Sequence, residues 1–360
     1  MNRVLHLPTA VGNHGYSLAC EERKVGYESD SMIVGRNNFN FKTHKHISIG
    51  RGKMHRILNY PRLYFEYKKI SNSYDVLHFN FSKSLIDIPK LGLEYWDLER
   101  YPSSIIKVAT HNGSDVRDER AFSDNPYSPF HNKNLYPSSS YETRRKKNEI
   151  FHSHMQHIFV LNPDLLNCVP SNKSTFLPYI KNAWHDKPNI CNDLFKNKVV
   201  RIVHAPTNRD IKGSDHVIAA VDRLKNKGYN VELVLIEGLN HKDALKCYAT
   251  ADIVVDQLRV GWYGGFALEV ARLRKPVITY IHSSYLNNIK DEEFKSGVRN
   301  SFISATPETI FECLEKCITD TNYSKYKADQ LYDFVEYHHD PQRVIKQVTD
   351  VYQRLLELRG

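Results

Sequence analysis

Val199-Val200-Arg201-Ile202-Val203-His204-Ala205-Pro206-Thr207-Asn208-Arg209-Asp210-Ile211-Lys212-Gly213 opens with a short apolar run and closes with a polar turn ending in glycine. A helix is expected to follow, with Ser214 as N-cap, Val217, Ile218, Val221 and Leu224 on one face, and a stop at Gly228. Strand, loop and amphipathic helix is the repeating unit of a parallel sheet. Three further apolar runs, 230–236, 252–256 and 276–281, follow at even spacing with helical intervals between them. The second half therefore reads as a doubly wound parallel α/β domain.

Working outward, the start of the chain repeats the logic. Residues 3–7 read as a buried strand, then Gly12-Asn13-His14-Gly15 leads into a polar helix ending near Gly26, the way a Rossmann-like domain opens. Short apolar runs at 31–34, 75–79, 104–109, 157–161 and 175–178 continue the pattern, with a helix expected over 54–70. Residues 181–198 turn polar and aperiodic, which places an interdomain linker there. Near the end, Val344, Ile345, Val348, Val351, Tyr352 and Leu355 form a helical stripe over 342–358. No repeat of fixed period or low-complexity tract occurs, which excludes solenoids and propellers.

At 360 residues the chain accommodates two α/β domains of about 150 to 180 residues. Hydrophobic residues at 41% and charged residues at 25% suffice for two ordinary cores. The opening residues lack a signal-peptide apolar stretch and no run is long enough to span a bilayer, so a cytoplasmic location is expected. Cys20, Cys168, Cys191, Cys247, Cys313 and Cys317 form no CxxC pair and read as reduced, mostly buried thiols. The formal charge of +9 favours anionic partners: nucleotide diphosphates, nucleic acid or an anionic membrane face. Within it, Arg144-Arg145-Lys146-Lys147 is a surface suited to an anionic acceptor or to peripheral contact with the inner face of a membrane.

Ligands of parallel sheets bind beyond the carboxyl ends of the strands. Arg209 and Lys212, just past one such end, add two cations to a turn whose amides already favour an anion, as a diphosphate requires. A second segment, Asp256-Gln257-Leu258-Arg259-Val260-Gly261-Trp262-Tyr263-Gly264-Gly265-Phe266-Ala267-Leu268-Glu269, follows another. Gly264 and Gly265 let a ligand approach the backbone, with Phe266 beside them. Glu269 is placed to accept two hydrogen bonds from a ribose diol.

Together these segments resemble the "glycosyl transferases group 1" family of retaining GT-B enzymes over about residues 199–356. The family's basic pair is matched by Arg209 and Lys212-Gly213, its glycine turn and glutamate by Gly264, Gly265 and Glu269, and its strand entry by Lys275-Pro276-Val277-Ile278. In the first half, His111-Asn112-Gly113-Ser114-Asp115-Val116-Arg117 resembles its "H-x-G-S-D-x-R" segment, and Asn162-Pro163-Asp164-Leu165-Leu166 its "T-P-D-L-L". Tyr337-His338-His339-Asp340-Pro341 resembles the segment after which such chains cross back to the first domain. One position departs: the family's first motif acid, eight residues before Glu269, is Gly261 here. Its role falls to Asp256, or to amides at 263–266, or belongs to no residue in this subgroup.

The resemblance implies two Rossmann-like domains whose parallel sheets face across a cleft. These are an acceptor-side domain over 1–185, completed by a helix at about 338–360, and a donor domain over 195–335. It implies transfer of a hexosyl group from a nucleoside diphosphate sugar, a UDP-sugar first, to an acceptor hydroxyl with retention of configuration. The acceptor is a glycan, lipid-linked glycan, protein or nucleic acid. Arg209 and Lys212 are the catalytic cations stabilising the leaving diphosphate, so no metal and no cofactor beyond the donor is expected. His152, His154 and His157 match no standard metal spacing. His111 is the expected donor-sugar contact, Asp115 holds the acceptor or orients His111, and Gly12 and Gly15 line the diphosphate or acceptor. Two other readings compete: a GT-B nucleotide-sugar epimerase, and a catalytically degenerate GT-B scaffold binding nucleic acid or glycan. The oligomeric state is not written in the sequence.

Overall fold

The computed structural model describes residues 2–37, 41–49, 53–180 and 194–359, with only the backbone for 53–58. Most of the expected linker, Cys191 and Arg51 lie outside the described residues. The chain divides into two compact units, one formed by 1–121, 138–184 and 341–360, the other by 122–137 and 185–340.

The first unit is built on seven strands: β1 (Arg3–Leu7), β2 (Glu28–Val34), β3 (Lys45–Ile47), β4 (Val76–Asn80), β5 (Ile106–His111), β6 (His157–Val160) and β7 (Ser174–Phe176). They stand in the order β3-β2-β1-β4-β5-β6-β7, with every pairing parallel. Parallel strands need crossovers, and helices His14–Lys24, Lys53–Ser71 and Ser138–Ser153 supply them. Strand order reverses at β1 and β4, so the carboxyl ends of those two strands flank this sheet's switch point. Val4, Leu18, Val76, Val108 and Phe159 form its core with Val344, Ile345, Val348 and Tyr352 of helix Pro341–Glu357. That helix carries its apolar stripe on one side because the residues recur at helical spacing, and the stripe closes the first unit's core.

The second unit holds β8 (Val200–His204), β9 (Val231–Leu235), β10 (Ile253–Val255), β11 (Val277–Thr279) and β12 (Ile303–Ser304), again all parallel, in the order β12-β11-β10-β8-β9. Its switch point lies between β8 and β10. The core gathers Ile202, Ile253, Val255 and Ile278 from the strands with Val217, Val221 and Leu224 from helix Ser214–Asn226. No described helix is long and apolar enough to cross a membrane.

Candidate functional site

In the second unit the residues expected to grip a diphosphate lie on a short helix, Arg209–Lys212, not on an open loop. Asn208 caps it, its side chain accepting from the Ile211 amide. Gly213, at φ +73, ends this turn and begins helix Ser214–Asn226, so Gly213 and not Ser214 is the N-cap. The Ser214 hydroxyl is engaged elsewhere, 2.8 Å from Nε2 of buried His204, whose Nδ1 donates to the Val255 carbonyl at 2.8 Å. Burial lowers the His204 pKa, so the ring is a neutral strut between β8, β10 and the helix.

Lys212 and Asp256 meet at the switch point. Lys212 Nζ lies 2.6 Å from Asp256 Oδ1, and Asp256 Oδ2 accepts from the Gly264 amide at 2.9 Å. One fully buried carboxylate thus ties the basic turn after β8 to the glycine turn after β10. A Cβ at Gly264 would stand 3.7 Å from Lys212 Nζ and 3.8 Å from Asp256 Oδ2, so this glycine lies directly against the ion pair. The Lys212 side chain remains 16% exposed, enough for its other N–H groups to meet a ligand.

Arg209 forms a fork with Glu237 at 2.9 and 2.5 Å, both side chains exposed. Glu269, in helix Gly265–Ala271, is nearly buried and lies 2.8 Å from Nε2 of half-exposed His241. That hydrogen bond raises the His241 pKa. His241 was not singled out in the sequence, where nothing brings it near a glutamate 28 positions on. Phe266 packs edge-on against Tyr248 at 4.8 Å between ring centroids.

Gly261 explains the departure from the family pattern sterically. Its φ is +88, and a Cβ there would lie 2.6 Å from Tyr285 Cε2 and 3.0 Å from His282 Cβ. The backbone is extended into a region that favours glycine, and Tyr285 fills the space a glutamate would need. Asp256, the acid named as its substitute, has both oxygens engaged within the second unit.

In the first unit, His111 ends β5 and is fully buried. Its Nδ1 lies 2.7 Å from Asp115 Oδ2 and its Nε2 2.9 Å from His152 Nε2. Asp115 Oδ1 accepts from the Gly113 and Asn112 amides at 2.8 and 3.2 Å, so it shapes this loop and orients His111 together. A donor-sugar contact by His111 requires one ring nitrogen to leave this network. Gly12, at φ +63, lies near Asn112, and a Cβ on buried Gly15 would stand 3.0 Å from Asn80 Nδ2. His157 Nε2 pairs with Thr175 Oγ1, and no cluster of three or more His, Cys, Asp or Glu side chains suited to a metal gathers among the described residues.

No protein-family model and no curated protein matches this sequence. Solved structures similar to it include Thermosynechococcus elongatus sucrose-phosphate synthase, with TM-score 0.59 and 12% identity over 99% of this chain and 100% of that one. Another is Anabaena HepE in complex with UDP and glucose, at TM-score 0.62 and 11% identity over 98% and 100%. A third is an alpha-glucosyltransferase in complex with UDP and a 13-mer DNA, at 0.60 and 12% over 97% and 98%. The likeness shows the fold, an α/β GT-B fold with two parallel sheets.

Proposed function

We propose that this protein is a glycosyltransferase that moves a sugar from a nucleoside diphosphate donor to an acceptor hydroxyl with retention of anomeric configuration. The observation that carries the reading is the Lys212–Asp256 pair at the switch point of the second unit's sheet, bonded to the Gly264 amide. Structures sharing the fold hold UDP, which makes a UDP-sugar the first donor to test. Residues 195–335 are proposed as the donor domain, and 1–185 with about 338–360 as the acceptor-side domain, except that 122–137 belongs to the second unit.

In this reading Asp256 is a positioning residue that aims Lys212. Lys212 and Arg209 are the cations that take up charge as the sugar–phosphate bond breaks, Arg209 exchanging Glu237 for phosphate oxygens. Gly264, Gly265 and Phe266 border the diphosphate with backbone, and Glu269 exchanges His241 for the ribose diol. Gly261 leaves its position without an acid, so no proton or charge is routed there. In the first unit His111 and Asp115 fix the Asn112–Gly113 loop, Gly12 turns the backbone at positive φ beside Asn112, and Gly15 lets the following helix pack against His6 and Asn80.

The test is a thermal-shift and turnover screen against uridine, guanosine, adenosine and cytidine diphosphate sugars, run with Glu269→Ala and Arg209→Ala. One donor is expected to stabilise the protein and to be slowly hydrolysed, both effects weakening in each variant and neither changing with EDTA. Silence across the panel from a folded protein would overturn the proposal.

A further inference from the structure

The basic run Arg144–Lys147 breaks up when its partners are read one by one. Arg144 donates to the Arg117 carbonyl, Lys146 pairs with Glu142, and Lys147 pairs with Glu94. Arg145 forms no ion pair among the described residues, and it lines a cavity of about 470 Å³ in the first unit. That size suits a small metabolite.

Three cations from separate elements reach this cavity: Arg120, Arg145 and Lys173. Arg120 is held by Asp118 and also donates to the Cys168 carbonyl at 3.3 Å. Lys173 Nζ donates to the His152 and Met155 carbonyls at 2.7 and 2.8 Å, which uses two of its three N–H groups on neutral acceptors. Glu149 is the one carboxylate in the lining, and the Cys168 thiol, pushed up to about 12 by burial, adds no negative charge. Burial, His111 and the nearby Lys173 and Arg120 hold the His152 pKa down to about 2, so its ring stays neutral. The rim is basic, with Arg120 and Arg145 exposed and Lys173 half-buried, while Asn148, His152 and Cys168 on the floor are buried.

The floor is shared with the His111 cluster. His152 Nε2 lies 2.9 Å from His111 Nε2, and Asn148 Nδ2 donates to the Asp115 carbonyl at 2.9 Å. We infer that this cavity binds the phosphoryl group of a small soluble molecule, and that its occupancy is felt at His111 and Asp115 through His152 and Asn148. A phosphoryl group offers terminal oxygens in three directions, matching cations that arrive from three elements, where a carboxylate offers two.

Calorimetric titration of the full chain with inorganic phosphate and with glucose 6-phosphate tests this, alongside histidine side-chain NMR. Arg145→Ala is expected to weaken binding about tenfold and Arg145→Glu to weaken it further, with Lys146→Ala neutral and Lys212→Ala still binding. Phosphate is expected to move the imidazole signals of His152 and His111. Tighter binding of glucose 6-phosphate than of phosphate would identify a phosphorylated sugar as the occupant, and equal binding the free ion. No binding up to about 10 mM, or equal affinity in Arg145→Glu, would overturn the inference. So would loss of binding in Lys212→Ala, which would place the anion at the second unit's switch point. Capture by phosphatidylglycerol vesicles that Arg145→Glu abolishes, without binding of either soluble ligand, would replace the small molecule with a membrane surface.

Discussion

The two units use the same parallel sheet but differ in how many histidines they bury and where their charged pairs stand. In the first, histidines are threaded through the core. His6 meets Glu22 at 2.9 Å, and His78 spans Thr110 at 2.6 Å and Tyr352, whose hydroxyl in turn donates to Glu22 at 3.2 Å. His111, His152 and His157 are buried as well. In the second unit Lys212, Arg209, Glu269 and His241 stand on helices that follow the strands, with part of each ion pair open to solvent. Buried polar networks specify an arrangement and lock it, because any member left unpaired is costly. Charges beyond the strand ends can exchange partners, as ligand binding requires. Both sheets are thus braced by buried polar groups, the second through His204 and Asp256, and the second also sets half-exposed charge pairs beyond its strand ends.

The largest effect that tests this contrast is Lys212→Ala. Donor turnover should fall about 100- to 1,000-fold, measured as release of free nucleotide. Because Asp256 would be left buried and unpaired, stability should also drop by roughly 3 kcal/mol in denaturant unfolding. Lys212→Arg should restore the stability, separating folding from turnover. Unchanged turnover would place the working charges elsewhere.

Acidification should strike the first unit harder. Burial holds His14 down to about 3, His152 to about 2 and His157 to about 4, with His78 well below its ordinary value. These groups are neutral when folded but take up protons near pH 6.5 when unfolded. The stability they contribute is therefore present above about pH 6.5 and is lost as pH falls toward their folded values, by about 2 kcal/mol at pH 5 for each of His14, His152 and His157. In the second unit His204 behaves likewise, but His241, raised by Glu269, contributes in the opposite sense below pH 6.5. Hydrogen exchange at pH 7 and pH 5 should show protection lost first in β1, β4, β5 and β6. Equal loss in both units would erase the contrast.

A smaller effect should follow Gly261→Ala, about 2 to 4 kcal/mol of destabilisation, from the positive φ and the contact with Tyr285. A smaller cost of Gly261→Ala in the Tyr285→Ala background than in the native protein, read by chemical denaturation, would locate the strain in that contact. Tyr352→Phe should cost about 1 to 3 kcal/mol, since His78 and Glu22 would each lose a buried partner. Melting of the variant checks it, and no change would mean that the first unit's network is not the brace described here.

Much of the architecture was legible because buried parallel strands are short apolar runs, and β1, β4, β8, β9, β10 and β11 lie where those runs lie. Strands β3 and β12, of three and two residues, carry no such signature and are defined by the neighbours they pair with. The choice of Ser214 as N-cap followed propensity, but the Ser214 hydroxyl is held by His204 and the preceding glycine turns the chain. Arg209, Lys212, Gly264 and Glu269 were readable as a motif. Asp256 was named as an acid but not as the partner of Lys212; that pairing, like those of Arg209 with Glu237, Glu269 with His241 and His111 with His152, is made by the fold and has no fixed spacing in sequence.

Helix Pro341–Glu357 has a consequence for how the molecule is made. Val344, Ile345, Val348 and Tyr352 complete a core whose first strand is β1, more than 330 residues earlier. On the ribosome, the first unit must wait with that face uncovered while residues 185–340 of the second unit are translated, and synthesis at about 5 to 20 residues per second sets the length of the wait. The second unit needs no such late segment. It is therefore positioned to fold earlier although it is translated later, and the earlier-made unit is the one that a chaperone would have to shield.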